Sequence, residues 1–220
     1  MPDLTIIAGC NGAGKSTFAE TFLLLDIHSF DYDKKLSENY NSLPDSELRE
    51  VFAKNTTNKE FEQAIGDSIR LKKDFCYETN FDVYPIDWAK VFKENGFTLN
   101  LIFFCLDNQE IARHRVQVRT EFKGHFIDNE TINLKWKVGY KNIRAPLLIP
   151  LGNKMELLEV PINKHFGFFD NLLLVDNSIT NEIYSNILQI KNGVVEVMTS
   201  KLPDYFIRRF PDIYKMIDKI

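Results

Sequence analysis

Residues 9 to 16 read Gly9-Cys10-Asn11-Gly12-Ala13-Gly14-Lys15-Ser16, with Thr17 next, and fit the pattern G-x-x-x-x-G-K-[ST]. The apolar run Leu4 to Ala8 precedes this stretch and helical spacing from Lys15 to Leu25 follows it, so it lies between a strand and a helix. Glycines let such a loop curl until successive backbone N–H groups point at phosphate oxygens. On that reading Gly9, Asn11, Gly12, Ala13, Gly14 and Thr17 form the cradle. Lys15 neutralises the β and γ oxygens, and Ser16 offers its hydroxyl to Mg²⁺. ATP and Mg²⁺ are therefore the expected cofactors. The plainer alternative, a glycine-rich turn with a surface lysine, fits the strand-loop-helix setting less well. Cys10 reads as a tolerated small side chain, because the loop works through its backbone.

Working outward, short β-type runs recur at Leu4 to Ala8, Ile27 to Tyr32, Phe75 to Glu78, Thr98 to Leu106 and Leu172 to Asp176. Helical spacing separates them at Lys15 to Leu25, Ser46 to Lys54, Lys59 to Lys72, Asn108 to Glu121 and Asn129 to Ile143, with Asp107-Asn108 as a cap. The alternation predicts a central, mostly parallel sheet, and with the loop pattern the expected fold is an α/β three-layer sandwich of the P-loop NTPase class. Residues 144 to 165, with Pro146, Pro150 and Pro161, break the pattern and read as an inserted excursion. Asn192-Gly193 between two alternating runs predicts a small C-terminal β-hairpin, and Tyr205 to Ile220, interrupted by Pro211, reads as short terminal helices. The expectation is one domain over residues 1–220, with a helical lid at about 111–144 and a C-terminal extension at about 179–220.

Composition bounds the rest. A chain of 220 residues, 44% hydrophobic, can bury a full core, which excludes a disordered tail. Three scattered cysteines, Cys10, Cys76 and Cys105, form no disulfide framework and suggest a reducing, cytoplasmic compartment. The N-terminus carries no secretory pattern, and no apolar run approaches a membrane span, so no membrane partner is expected. The net charge of -4 argues against general nucleic-acid binding. Charge is unevenly placed, however. Residues 111 to 144 hold eight Lys/Arg against three acids, a local +5 that leaves -9 elsewhere.

In open parallel sheets ligands collect at the carboxyl ends of strands. Asp31-Tyr32-Asp33 and Glu78-Thr79-Asn80 stand at two such ends. Phosphorylating a hydroxyl needs a carboxylate to accept its proton, and Asp33 is assigned that role. Asp31 is either outward-facing or a cap, and helix capping from Lys34 onward would account for the pair without chemistry. Asp176 closes Leu172 to Val175 as an Mg²⁺-holding acid would, or starts a turn, Asp176-Asn177-Ser178, that contacts the nucleotide base. Arg115 and Arg119, four apart, share a helix face and suit spread phosphoryl charge, with a solvated face as the bland alternative. Arg113 points elsewhere. Trp136 and Tyr140 read as core-facing.

Taken in order over residues 4 to 178, these pieces resemble the zeta toxin family of phosphate-loop kinases. Ile7-Ala8-Gly9 with Asn11 to Thr17 is similar to the family's phosphate loop, and Phe30-Asp31-Tyr32-Asp33 to the segment carrying its catalytic aspartate. Tyr77-Glu78-Thr79 resembles the strand end that touches substrate. Arg115-Val116 with Arg119, then Gly124-His125, resembles the stretch whose arginine stabilises the moving phosphoryl group, and Asp176-Asn177-Ser178 the tripeptide after the last strand. The resemblance implies phosphoryl transfer from ATP to a hydroxyl of a small acceptor, a nucleotide sugar such as UDP-N-acetylglucosamine. It implies catalytic roles for Lys15, Asp33, Arg115 and Arg119, and nucleotide contacts for Asp176 and Asn177. Substrate contacts fall to Glu78, Thr79, Asn80 and His125, and to Lys135, which stands where the family clusters arginines. An antitoxin partner is implied for members that have one. The competing function is a P-loop ATPase or nucleotide-dependent switch, with water as acceptor and Asp176 on the metal, or an interaction module that keeps ATP as a structural ligand.

Overall fold

The computed structural model describes residues 1–24, 26–121, 127–144, 168–180, 182–191 and 194–217. Its strands are β1 (Asp3–Ala8), β2 (Phe75–Thr79), β3 (Thr98–Cys105), β4 (Asn171–Asp176), β5 (Ser185–Lys191) and β6 (Val194–Val197). Its helices are α1 (Lys15–Phe18), α2 (Tyr32–Ser42), α3 (Arg49–Leu71), α4 (Asp87–Glu94), α5 (Gln109–Glu121), α6 (Asn129–Arg144), α7 (Phe206–Arg209) and α8 (Pro211–Ile217).

The strands join in the order β2-β1-β3-β4-β5-β6. The first four in that order are mutually parallel, and β5 and β6 add as antiparallel strands. Leu4, Ile6, Ile7 and Ala8 of β1 are all fully buried, as a central strand covered on both faces requires. With helices on both sides this is the three-layer α/β P-loop fold expected above. The C-terminal hairpin is not a separate feature, because it continues the main sheet. Its turn residues, the excursion from 145 to 165 and His125 lie outside the described residues.

Four elements differ from expectation. Ile27 to Tyr32 is no strand: Phe30 makes a single parallel bridge to Tyr77, and the chain then turns into α2. The reason is Asp31, whose carboxylate accepts from Lys34 N at 3.1 Å and starts the helix. The two helices expected around residues 46 to 72 are one, α3, running through Asn55-Thr56-Thr57-Asn58 despite the modest helix propensity of these residues. Tertiary contact overrides propensity there. Thr57 is buried, donates to Ala53 O and accepts from Asn39 of α2, while Asn58 accepts from the Tyr32 hydroxyl at 2.6 Å. The helix expected over Lys15 to Leu25 closes at Phe18 and tightens into a 3-10 turn, Ala19–Phe22. Thr21 donates to Phe18 O at 2.6 Å, and Phe18 and Phe22 pack on Phe104 and Tyr184. Finally, α4 arises where no helix was expected, burying Ala89 and Phe92.

The helix pair α5–α6 stands at the carboxyl end of the sheet. Asn108 caps α5 by accepting from Ile111 N, and Arg113 ties α5 to Asn133 of α6 at 2.8 and 2.9 Å, pointing away from the loop as expected. Trp136 and Tyr140 are buried, and the Tyr140 hydroxyl pins α6 to the end of β3 through Leu106 N and O. The C-terminal helices close over this end, with Arg209 lying over the Trp136 ring at 4.1 Å.

Candidate active site

Sequence dictates the loop's shape first. Gly14 sits at φ +96°, in the left-handed region, and a Cβ there would collide with Asn177 Nδ2. A Cβ on Gly12, at φ +79°, would lie 2.6 Å from Ala112 O of α5. Only glycines let the loop press this closely on α5 and on the segment after β4. Cys10 is buried in the loop and its thiol is pushed up to about 11 by burial, which keeps it protonated and fits a tolerated side chain.

Around the loop opens a cleft of about 1090 Å³. Of the residues expected in a site, it is lined by Asn11, Gly12, Gly14, Lys15, Ser16, Thr17, Asp33, Glu78, Thr79, Asn80, Arg115, Arg119 and Lys135. Stretches more than a hundred residues apart in sequence thus meet at one cavity. Lys15 Nζ donates to Gly9 O at 2.8 Å, Cys10 O at 3.2 Å and Asn80 Oδ1 at 3.2 Å. Its ammonium is folded back across the loop mouth, where a phosphate would meet it.

Ser16 Oγ lies 2.6 Å from Glu78 Oε2 and 2.9 Å from Asp31 Oδ2, and Ser29 Oγ donates to Glu78 Oε1 at 2.7 Å. Burial raises the carboxyl pKa of Glu78, with Asp31 adding to the rise and the Ser16 and Ser29 hydrogen bonds and Lys15 opposing it. One hydroxyl and two carboxylates converging in this way are the hard oxygen donors that Mg²⁺ takes. The donor set therefore fits the cation and widens it: Asp31 and Glu78 stand beside Ser16, although Asp31 was expected to be peripheral and Glu78 to touch substrate. Asp33, in the first turn of α2, accepts from Asn11 Nδ2 at 3.3 Å, so a residue of the phosphate loop itself orients this carboxylate.

Arg115 donates to Gly12 O at 3.4 Å and Thr180 O at 3.0 Å, bridging the loop to the segment after β4, and burial lowers its pKa. Arg119 and Lys135 also line the cleft, Arg119 exposed to solvent.

Asp176 and Asn177 stand elsewhere than expected. Neither lines the cleft. Asp176 Oδ1 accepts from the Tyr205 hydroxyl at 2.8 Å and from Ser178 N at 3.1 Å, so it anchors the C-terminal extension. Asn177 is fully buried behind the loop and donates to Ala13 O at 2.8 Å. Both act through structure, which removes the support for Asp176 as a metal-holding acid. Ala13, fully buried, and Gly9 also contribute through the backbone rather than by facing the cavity.

A second wall of the cleft escaped the sequence reading: Tyr32, Asn58, Phe61, Glu62, Asp82, Val83, Tyr84 and Trp88. The spacing of Asn58 and Glu62 on α3 was the available signal. In the sequence Asn58 falls between two stretches of helical spacing, which hides it.

The fold and the cleft together define a three-layer α/β phosphate-loop fold. No family model matches the sequence, and a search of curated proteins gave no match. Solved structures do match. The chain is similar to a chain of the PezAT chromosomal toxin-antitoxin system of Streptococcus pneumoniae, with a TM-score of 0.60 and 14% identity over 100% of this chain and 87% of that one. A proposed kinase from Chloroflexus aurantiacus has a TM-score of 0.56 and 17% identity, covering 83% of this chain and 91% of that one. A chain of the AvrRxo1-ORF1:-ORF2 complex with ATP has a TM-score of 0.60 and 14% identity, covering 90% and 60%. At these identities the likeness establishes the fold, a zeta-toxin-like phosphate-loop kinase fold.

Proposed function

We propose that this chain is, as one domain, an ATP-dependent kinase that transfers the γ-phosphoryl group to a hydroxyl of a small acceptor. The observation that carries the reading is the meeting, in one cleft, of Lys15, the Asn11-oriented carboxylate of Asp33, and Arg115 and Arg119. The loop N–H groups and Lys15 bind the triphosphate. Asp33 accepts the acceptor's hydroxyl proton, and Arg115 and Arg119 balance charge on the γ-phosphoryl group. Ser16, with Asp31 and Glu78, would hold Mg²⁺, which would neutralise phosphate charge when bound. A nucleotide sugar such as UDP-N-acetylglucosamine is the acceptor that the zeta toxin resemblance implies. The same resemblance, and the toxin-antitoxin origin of one structural neighbour, support an antitoxin as protein partner.

Asp33→Asn is the direct test. It keeps an oxygen for the Asn11 hydrogen bond and removes the base, so transfer should fall by roughly 10²- to 10⁴-fold with ATP binding intact. Full activity in that variant would overturn the assignment.

A further inference from the structure

The charge in the cleft is segregated. Among the described residues its positive side chains, Lys15, Arg115, Arg119 and Lys135, all come from the phosphate loop and the α5–α6 pair. The wall formed by α2, α3, α4 and the loop after β2 contributes no Lys or Arg to the lining. It contributes carboxylates instead. Asp31 and Glu78 are engaged on Ser16 and Asp33 on Asn11; Asp82 accepts from Val83 N at 3.0 Å, and neither it nor Glu62 has a cationic partner among the described residues.

The same wall is aromatic, and its rings are held in place. Phe61 packs edge-on against Trp88 at 6.0 Å and Tyr32 at 6.3 Å, and the Tyr32 hydroxyl is fixed by Asn58. The loop carrying Asp82 and Tyr84 is clamped from above: Asn142 of α6 donates to Phe81 O at 2.8 Å and to Asp82 O at 2.9 Å. Within it Phe81 and Tyr84 take left-handed backbone conformations at φ +60° and +45°, a cost that a positioned loop must offset. Ring faces attract the C–H face of a sugar-like ring and, through their quadrupole, a cation. Carboxylates accept from hydroxyl and ammonium donors and repel phosphate.

We propose that the acceptor is a hydroxylated ring bearing a protonated amine and no phosphate, an amino sugar or aminocyclitol, with its ring against the aromatic side chains of this wall, Phe61 and Trp88, and its ammonium on the wall's carboxylates, Glu62 and Asp82. This rests on the kinase reading above and takes the acceptor away from nucleotide sugars, whose diphosphate would face the acidic wall. In the transfer, the acceptor oxygen forms the new bond to the γ-phosphorus and its proton passes to Asp33. The bond from the γ-phosphorus to the bridging oxygen breaks, and its electron pair leaves with ADP.

The test is a panel of amino sugars and aminocyclitols, each paired with its N-acetylated form and a phosphorylated form, and including UDP-N-acetylglucosamine. Each is incubated with the full chain, ATP and Mg²⁺, and product formation is followed by mass spectrometry and initial rates. The expected result is transfer to amine-bearing acceptors with KM roughly tenfold or more below that of the acetylated partner. Glu62→Gln and Asp82→Asn should shrink that ratio, and KM should rise as pH deprotonates the amine. Calorimetric binding of the same pairs with an ATP analogue gives a readout independent of turnover. Transfer confined to phosphate-bearing acceptors, or indifferent to acetylation, overturns the inference and leaves the kinase standing. ADP release to water with every acceptor overturns both.

Discussion

Asn177 lies outside the cleft, yet the structure makes it a determinant of the phosphate loop. Its amide is fully buried, donates to Ala13 O at 2.8 Å, and presses on the position a Gly14 Cβ would take. Asn177→Ala leaves the buried Ala13 carbonyl unpaired, at a cost of about 1–3 kcal/mol. Taking about 2 kcal/mol, a chain of this size should lose about 4–8 °C in Tm. ATP affinity should fall with it, because the N–H groups at Ala13 and Gly14 lose the contact that sets them. Gly14→Ala separates the two components. On its own it suffers left-handed strain of about 1–2 kcal/mol and the collision with Asn177. In the Asn177→Ala background only the strain remains, so the double variant should be more stable than the sum of the single losses by at least about 0.5 kcal/mol. Thermal and denaturant unfolding of the four proteins, with calorimetric ATP binding, measures the cycle. Additive losses, or an Asn177→Ala variant that melts and binds like its parent, would refute the clasp.

Asp176→Asn should weaken the Tyr205 contact and lower Tm while leaving the Mg²⁺ dependence of turnover unchanged; a changed metal dependence would return Asp176 to the site. Glu78, whose folded pKa is raised by burial, binds its proton more tightly in the folded than in the unfolded state. It should therefore cost stability as pH rises above the ordinary carboxylate range and through the raised value, and Glu78→Gln should abolish that loss in unfolding measured against pH without Mg²⁺. Phe61→Ala should raise acceptor KM by roughly tenfold or more with little effect on ATP binding, as steady-state kinetics with each substrate varied would show.

Much of this architecture was legible in the residues themselves. The loop from Gly9 to Ser16 announced its position because the pattern, the preceding apolar run and the following helical spacing agree on one geometry. The parallel strands were visible as buried apolar runs, and the facing of Arg115 and Arg119 as helical spacing. What was hidden depends on tertiary contact. Asp31 reads as a cap or an outward-facing residue, and the cap reading hides its second contact: one oxygen caps α2 and the other meets Ser16. Continuity of α3 through Thr57 relies on Asn39 of another helix, and with it the placement of Asn58, Phe61 and Glu62 on the cleft. Asp176 ends its strand as a metal-holding acid would, and only the distant Tyr205 reveals that its carboxylate is occupied.

Phosphoryl transfer to a hydroxyl can be tested directly. The purified chain should be incubated with γ-labelled ATP, Mg²⁺ and a mixture of hydroxylated small molecules, with Lys15→Ala and Asp33→Asn in parallel, and the label followed by mass spectrometry. The account predicts an acceptor heavier by one phosphoryl group that both variants fail to make, Asp33→Asn while still binding ATP. Lys15-dependent release of labelled inorganic phosphate, with no labelled acceptor in any mixture, would contradict it.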